Sequence, residues 1–122
     1  MIIHELRIDN YVTHKGELCK IAAISQSEKV IIQNVEAKKF SKPVDRGQLL
    51  TVQLTKEIYR QVGFKITDVS FDLGKVHVLN VEGFPTYIKD PLGKKILIGV
   101  CSSLHRLQNL YYEVHNEMLK LP

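Results

Sequence analysis

The sequence contains no tryptophan, only two cysteines, two methionines and four prolines, and aromatic residues fill just 7% of its 122 positions. Two cysteines do not make a disulfide framework. Cys19 and Cys101 each sit inside an apolar stretch, which reads as a pair of reduced, buried thiols, with a single bridge as the alternative. Long hydrophobic runs are also missing: nothing approaches the roughly 18 to 20 apolar residues needed to cross a bilayer, and residues 1–8 carry Glu5 and no apolar signal core. The expectation is a soluble, cytoplasmic chain with no membrane partner. Nor is there a block of one charge. The 17 Lys and Arg exceed the 13 Asp and Glu by a net +4, and the excess is spread along the chain. Such a balance permits contact with phosphates without demanding it, because strong nucleic-acid binders concentrate their cations in a stripe or patch.

Several chemistries lack their motifs. There is no GxxxxGK[ST], GxGxxG or GxSxG, so phosphate cradles and serine-hydrolase elbows have no support. The five histidines, His4, His14, His77, His105 and His115, are scattered, and no two stand at the i, i+4 spacing that lets two imidazoles on a helix share a metal. His105 and His115, ten residues apart on one helix, would be rotated by about 80°. No metal, no cofactor and no catalytic residue is expected.

What is present is a β pattern followed by a helical one. Over residues 6–54 short apolar, β-branched runs alternate with turn residues, as in successive antiparallel strands. Leu6, Ile8 and Tyr11-Val12 mark a first strand, residues 18–24 a second and residues 29–35 a third. Gly16 supplies the positive φ of the first turn. Residues 36–48, with Pro43 and Gly47, read as an exposed loop before pairing resumes at residues 49–54. Short strands folding back within about fifty residues favour an SH3-like curled β-barrel, because curling hides sheet edges.

Thr55 then precedes a short helix over residues 56–62, and Gly63 ends it; the hydroxyl caps the first turn and the glycine takes the left-handed exit. Ile58, Val62 and Phe64 are expected to pin it to the core. Four strands follow, at residues 66–71, 75–81, 86–89 and 95–100, separated by Gly74, by Gly83-Phe84-Pro85 and by Asp90-Pro91-Leu92-Gly93. From Ser103 to about Leu119, Leu104, Leu107, Tyr111, Val114 and Met118 recur at steps of 3, 4, 3 and 4, one apolar stripe of a helix capped by Ser102 or Ser103. The fold class is therefore α+β in a single compact domain, residues 1–122. Residues 1–54 form the barrel subdomain; residues 55–122 form a short helix, an antiparallel sheet and a C-terminal amphipathic helix.

Two surfaces stand out as binding candidates. Lys38, Lys39, Phe40, Lys42 and Arg46 combine cations for phosphates with an aromatic face for a base, as small barrels do on single strands; the preferred reading is a soluble loop with Phe40 tucked into the barrel. His105, Gln108, Asn109 and Tyr112 share a flank of the last helix, either as a partner-binding strip or, the preferred reading, as partners for backbone groups at a helix–sheet seam. Two catalytic arrangements are weaker. Asp68 and Asp72 would share one face of a strand, and Cys101 with His105 would form a thiol–imidazole pair at a helix start, without a nameable orienting group or oxyanion site.

The final helix, with Leu104-His105-Arg106-Leu107-Gln108-Asn109-Leu110-Tyr111-Tyr112 and then Glu117-Met118-Leu119, resembles the terminal signature of an uncharacterised family of small proteins from bacteriophages and conjugative elements of Bacteroides-group bacteria. Leu6-Arg7-Ile8-Asp9-Asn10-Tyr11-Val12 with Gly16 and Lys20-Ile21, and Leu54-Thr55-Lys56-Glu57 running into Gly63-Phe64, are similar to further passages of the same family. The chain departs from it near Asp9, where the family has glycine, and near His115-Asn116, where it has Thr-Gly. The resemblance implies a mobile-element origin and a bacterial host, and carries over no activity. The expectation is a non-catalytic binding module acting on nucleic acid or a host protein. A small Cys/His-dependent enzyme and a homo-oligomer assembled through the C-terminal helix are the alternatives.

Overall fold

The computed structural model describes residues 6–25, 27 and 29–122. His4 and the remainder of residues 1–5 lie outside the described residues, as do Gln26 and Glu28 of the second connection. The chain divides into two compact units, Met1–Val52 and Gln53–Pro122.

The first unit is a five-stranded antiparallel sheet built from β1 (Tyr11–His14), β2 (Glu17–Ile24), β3 (Lys29–Asn34), β4 (Val44–Asp45) and β5 (Leu49–Thr51). Their order is β4-β3-β2-β1-β5, so the last strand returns to the first and the sheet curls as an SH3-like half-barrel. The β1–β2 turn is two residues long, and Lys15 and Gly16 both have positive φ, 51° and 78°, the twist that matches the flanking strands. Between Ile21 and Ala23 the β2–β3 register shifts, and the bulge adds local bend. Val12, Cys19, Ile21, Val30, Ile32, Val44 and Leu49 fill the concave side with Leu6. The stretch expected as a loop, residues 36–48, is more structured than its composition suggested: it contains β4 and a 3₁₀ turn, Arg46–Gln48. Val44 supplies the reason, since its burial in the core holds the segment against β3.

In the second unit, Thr55 Oγ1 accepts from the Ile58 amide and opens α1 (Lys56–Gln61), as the sequence indicates. Tyr59, not Ile58, is its fully buried residue. Five strands follow instead of four: β6 (Lys65–Ile66), β7 (Ser70–Leu73), β8 (Val76–Leu79), β9 (Pro85–Lys89) and β10 (Lys95–Val100), a meander in strict sequence order. The expected strand at residues 66–71 is split by Thr67, whose hydroxyl accepts from the amides of Val69 and Ser70 and closes a tight turn. Asp68 falls in that turn and Asp72 in β7, so the two carboxylates do not share a strand face.

The last helix, α2 (Leu104–His115), is shorter than expected. Asn116 takes the left-handed conformation and its amide closes on the Tyr112 carbonyl, which ends the helix one turn before Leu119. Ser103 occupies the N-cap, but its side chain makes no capping bond. Leu104, Leu107 and Tyr111 are buried, so this part of the apolar stripe is used inside the chain and is not free for self-assembly. None of the described helices is long and apolar enough to cross a membrane.

Candidate nucleic-acid interface

Phe40 is presented, not tucked away. The segment after β3 folds back on it: the Asn34 amide donates to the Lys39 carbonyl at 2.9 Å, the Lys38 amide to the Asn34 carbonyl at 2.7 Å and the Ser41 amide to the Ile32 carbonyl at 2.8 Å. Asn34 Oδ1 accepts from the Ala37 amide, and Gln33 Nε2 donates to the Lys38 carbonyl. Lys38 takes a φ of 57° at the bend. This bonding fixes the backbone under Phe40, whose side chain is 67% exposed. The reading that buries Phe40 in the barrel is therefore corrected: β3 holds Phe40 by backbone pairing at the rim, while Val30, Ile32 and Val44 take the interior.

Residues directly opposite one another in an antiparallel sheet present their side chains on the same face. Gln33 stands opposite both Phe40 and Lys20, which places the three in one row on the convex side of the sheet. Lys38, Lys39 and Lys42 flank the row and are exposed. Arg46 is half-buried in the 3₁₀ turn, and its Nε makes no hydrogen bond among the described residues. Glu17 is the nearby acid whose charge is partly engaged, accepting from Asn34 Nδ2 at 2.6 Å. A cleft of about 330 Å³ opens beside Pro43, floored by Ala23, Ile24, Val30 and Ile31 and edged by Ser25, Ser27 and Lys29. Its size is that of the smaller ligand pockets.

The second candidate strip resolves differently. His105, Gln108 and Asn109 are buried in the second unit, and only Tyr112 is substantially exposed. Gln108 Nε2 donates to the Leu119 carbonyl at 2.8 Å and so ties the segment after α2 back against the helix. This is the structural role for polar groups at a seam.

Cys101 is also buried. Burial pushes its thiol above the ordinary range, against smaller opposing contributions from a hydrogen bond with Thr86 and the charge of Arg106. That is the reverse of what an activated thiolate needs. Both cysteines are free thiols.

The sequence reading missed one polar cluster. In β7 and β8, Asp72 pairs directly with His77, and Asp72 Oδ1 bonds His77 Nδ1 while Oδ2 accepts from Ser70 Oγ at 2.9 Å. Lys89 Nζ lies 3.7 Å from the carboxylate, and Lys95 Nζ lies 3.3 Å from His77 Nε2. A usable signal was there. Gly74-Lys75 is a two-residue hairpin connection with positive φ at its glycine, and such a turn fixes the register that sets Asp72 against His77.

Burial alone would raise the Asp72 carboxyl, but the hydrogen bonds from His77 and Ser70 and the charges of His77 and Lys89 together hold it below the usual carboxylate range. A depressed folded pKa means that ionised Asp72 stabilises the protein fully above the unfolded value of about 3.9, and that this contribution is lost as pH falls through the folded value. Asp72→Asn should therefore lower the urea midpoint near neutrality, and the gap from wild type should close on acidification from about pH 5 to pH 2. A gap that stays constant across that range would show that the carboxylate does not titrate as this geometry requires.

No protein-family model matches the chain, and neither does any curated protein or solved structure, which leaves the chemistry of these surfaces as the guide to function.

Proposed function

We propose that this chain is a non-catalytic binding module of a bacteriophage or other mobile element, and that its ligand is single-stranded nucleic acid held on the convex face of the first unit. The observation that carries the reading is Phe40, a phenyl ring left 67% exposed on a hydrogen-bonded backbone among Lys38, Lys39 and Lys42. An exposed ring offers a stacking face to an unpaired base, and lysines beside it neutralise the phosphates that run past. A paired duplex offers no such face to a flat side chain. Gln33 and Lys20, in the same row, extend the polar track. The mobile-element assignment draws on the sequence resemblance. It is supported by the two places where the chain departs from glycine: Asp9 and Asn116 have φ of 72° and 58°, the left-handed conformation that glycine takes most easily and Asp or Asn next.

Fluorescence anisotropy with labelled single-stranded oligonucleotides at rising salt tests the proposal. Binding should weaken steeply with salt, and removing Lys38, Lys39 and Lys42 together should flatten the log–log slope by about 0.7 per lysine. Phe40→Ala should cost about 1 to 3 kcal/mol of affinity and leave the slope unchanged. Absence of binding at low salt would overturn the reading.

A further inference from the structure

The five-stranded sheets have four edges among the described residues, and three of them are short: β4 and β6 have two residues and β5 has three. The fourth, β10, has six, Lys-Ile-Leu-Ile-Gly-Val. Ile96, Leu97, Ile98 and Val100 are each more than half exposed. A long apolar edge is what proteins normally avoid, because its unpaired N–H and C=O groups template a further strand. A register shift between Leu97 and Gly99 interrupts its pairing with β9, but no further strand of the described residues pairs with β10. Apolar side chains exposed on both faces of one edge mark an interaction surface.

The charges at the two ends of β10 say what fits there. Lys94 and Lys95 stand at its start, with Lys95 Nζ resting against His77. Asp90, in the preceding turn, has Oδ1 occupied by the amides of Leu92 and Lys94. At the other end Val100 pairs with Pro85, and the exposed Glu82 lies in the turn just before Pro85, near that end of the strand. One end is cationic and the other carries an acid. A second copy laid antiparallel across a two-fold axis sets each Lys94 toward the partner's Glu82, whereas a parallel neighbour stacks lysine on lysine. We propose that β10 is a homodimer interface: two copies of this chain pair β10 to β10, antiparallel, with Leu97 and Ile98 at the centre, and join their sheets into one of ten strands. The interface is independent of the nucleic-acid reading, since Phe40 and its lysines belong to the other unit.

Analytical ultracentrifugation of the intact chain across the micromolar range tests it. The wild type should sediment at about twice the 14.0 kDa chain mass. Leu97→Lys, at a position already 58% exposed, should return it to the chain mass without changing its circular dichroism. Glu82→Lys should raise the dimer dissociation constant roughly tenfold through like-charge contact, and Glu82→Lys with Lys94→Glu should recover it. Three results overturn the proposal: a monomer throughout, a dimer indifferent to Leu97→Lys, or open-ended polymers. Failure of the double variant to recover affinity overturns the antiparallel arrangement.

Discussion

Phe71→Ala should lower the unfolding free energy by about 3 to 5 kcal/mol, the usual cost of emptying a large aromatic site in a packed core. Phe71 is fully buried in a cluster of four rings centred on Tyr59. Its centroid lies 4.9 Å from that of Tyr59 and 5.7 Å from that of Phe84, while Tyr59 also meets Phe64 edge-on at 5.2 Å. Truncation leaves a cavity that α1 and β7 close only by moving apart from their other partners. The neighbouring ring makes the opposite experiment. Tyr59 is wholly buried, its hydroxyl has no hydrogen-bond partner among the described residues, and burial, with the nearby Cys101, pushes its phenol far up. Tyr59→Phe keeps the ring and deletes an unpaired polar atom, so it should leave stability unchanged or raise it by up to about 1 to 2 kcal/mol. Urea midpoints for the two variants, moving in opposite directions, check the pair. A loss on Tyr59→Phe comparable to that of Phe71→Ala would show that the hydroxyl is bonded after all.

Gly74→Ala should cost about 2 to 4 kcal/mol, shared between a clash with His115 and a left-handed backbone. Gly74 has φ of 57°, and a Cβ there would lie 3.0 Å from His115 Cε1 and closer still to Nε2. The imidazole cannot give way freely. Its Nε2 accepts from the Lys75 amide at 3.0 Å, and its ring stacks on Tyr111 at 4.2 Å. Moving it breaks the contact that fastens the β7–β8 turn to the last turn of α2. The left-handed backbone adds about 1 to 2 kcal/mol for any L side chain. In a His115→Ala background only that backbone cost should survive, so the two substitutions should be clearly non-additive in thermal or urea unfolding. Strict additivity would mean that the ring is not held where it stands.

Much of the fold was legible because local chemistry and burial agree. Thr55 and Gly63 bracket α1, Lys15-Gly16 makes the first hairpin, and the steps of 3 and 4 from Leu104 to Leu107 to Tyr111 draw α2. The misreadings fall where one side chain overrides a pattern. Thr67 folds an apolar run into a turn and turns one strand into two. Asn116 stops a periodicity that Met118 appeared to continue. Val44, the single buried residue of a basic, proline-containing stretch, gives strand pairing to what composition describes as loop. The binding surface was partly legible: the lysines around Phe40 follow from the sequence alone, but the exposure of the ring depends on backbone bonds between Asn34 and Lys39 that composition does not encode. Asp72 and His77 were invisible until a hairpin register was fixed, since neither residue signals its partner.

The strand order described above also sets the course by which the chain acquires its structure. Each unit is a series of neighbouring hairpins, which zip on the microsecond scale, latched by one distant pairing. In the first unit the latch is β1 on β5, where Thr13 Oγ1 reaches the Leu50 carbonyl 37 residues away. In the second it is the bridge of Gln53 to Ser103, with the Leu54 amide on the Ser102 carbonyl. Loop-closure entropy is met at these latches and not in the hairpins. The latches, more than any turn, therefore govern how fast the protein folds after synthesis.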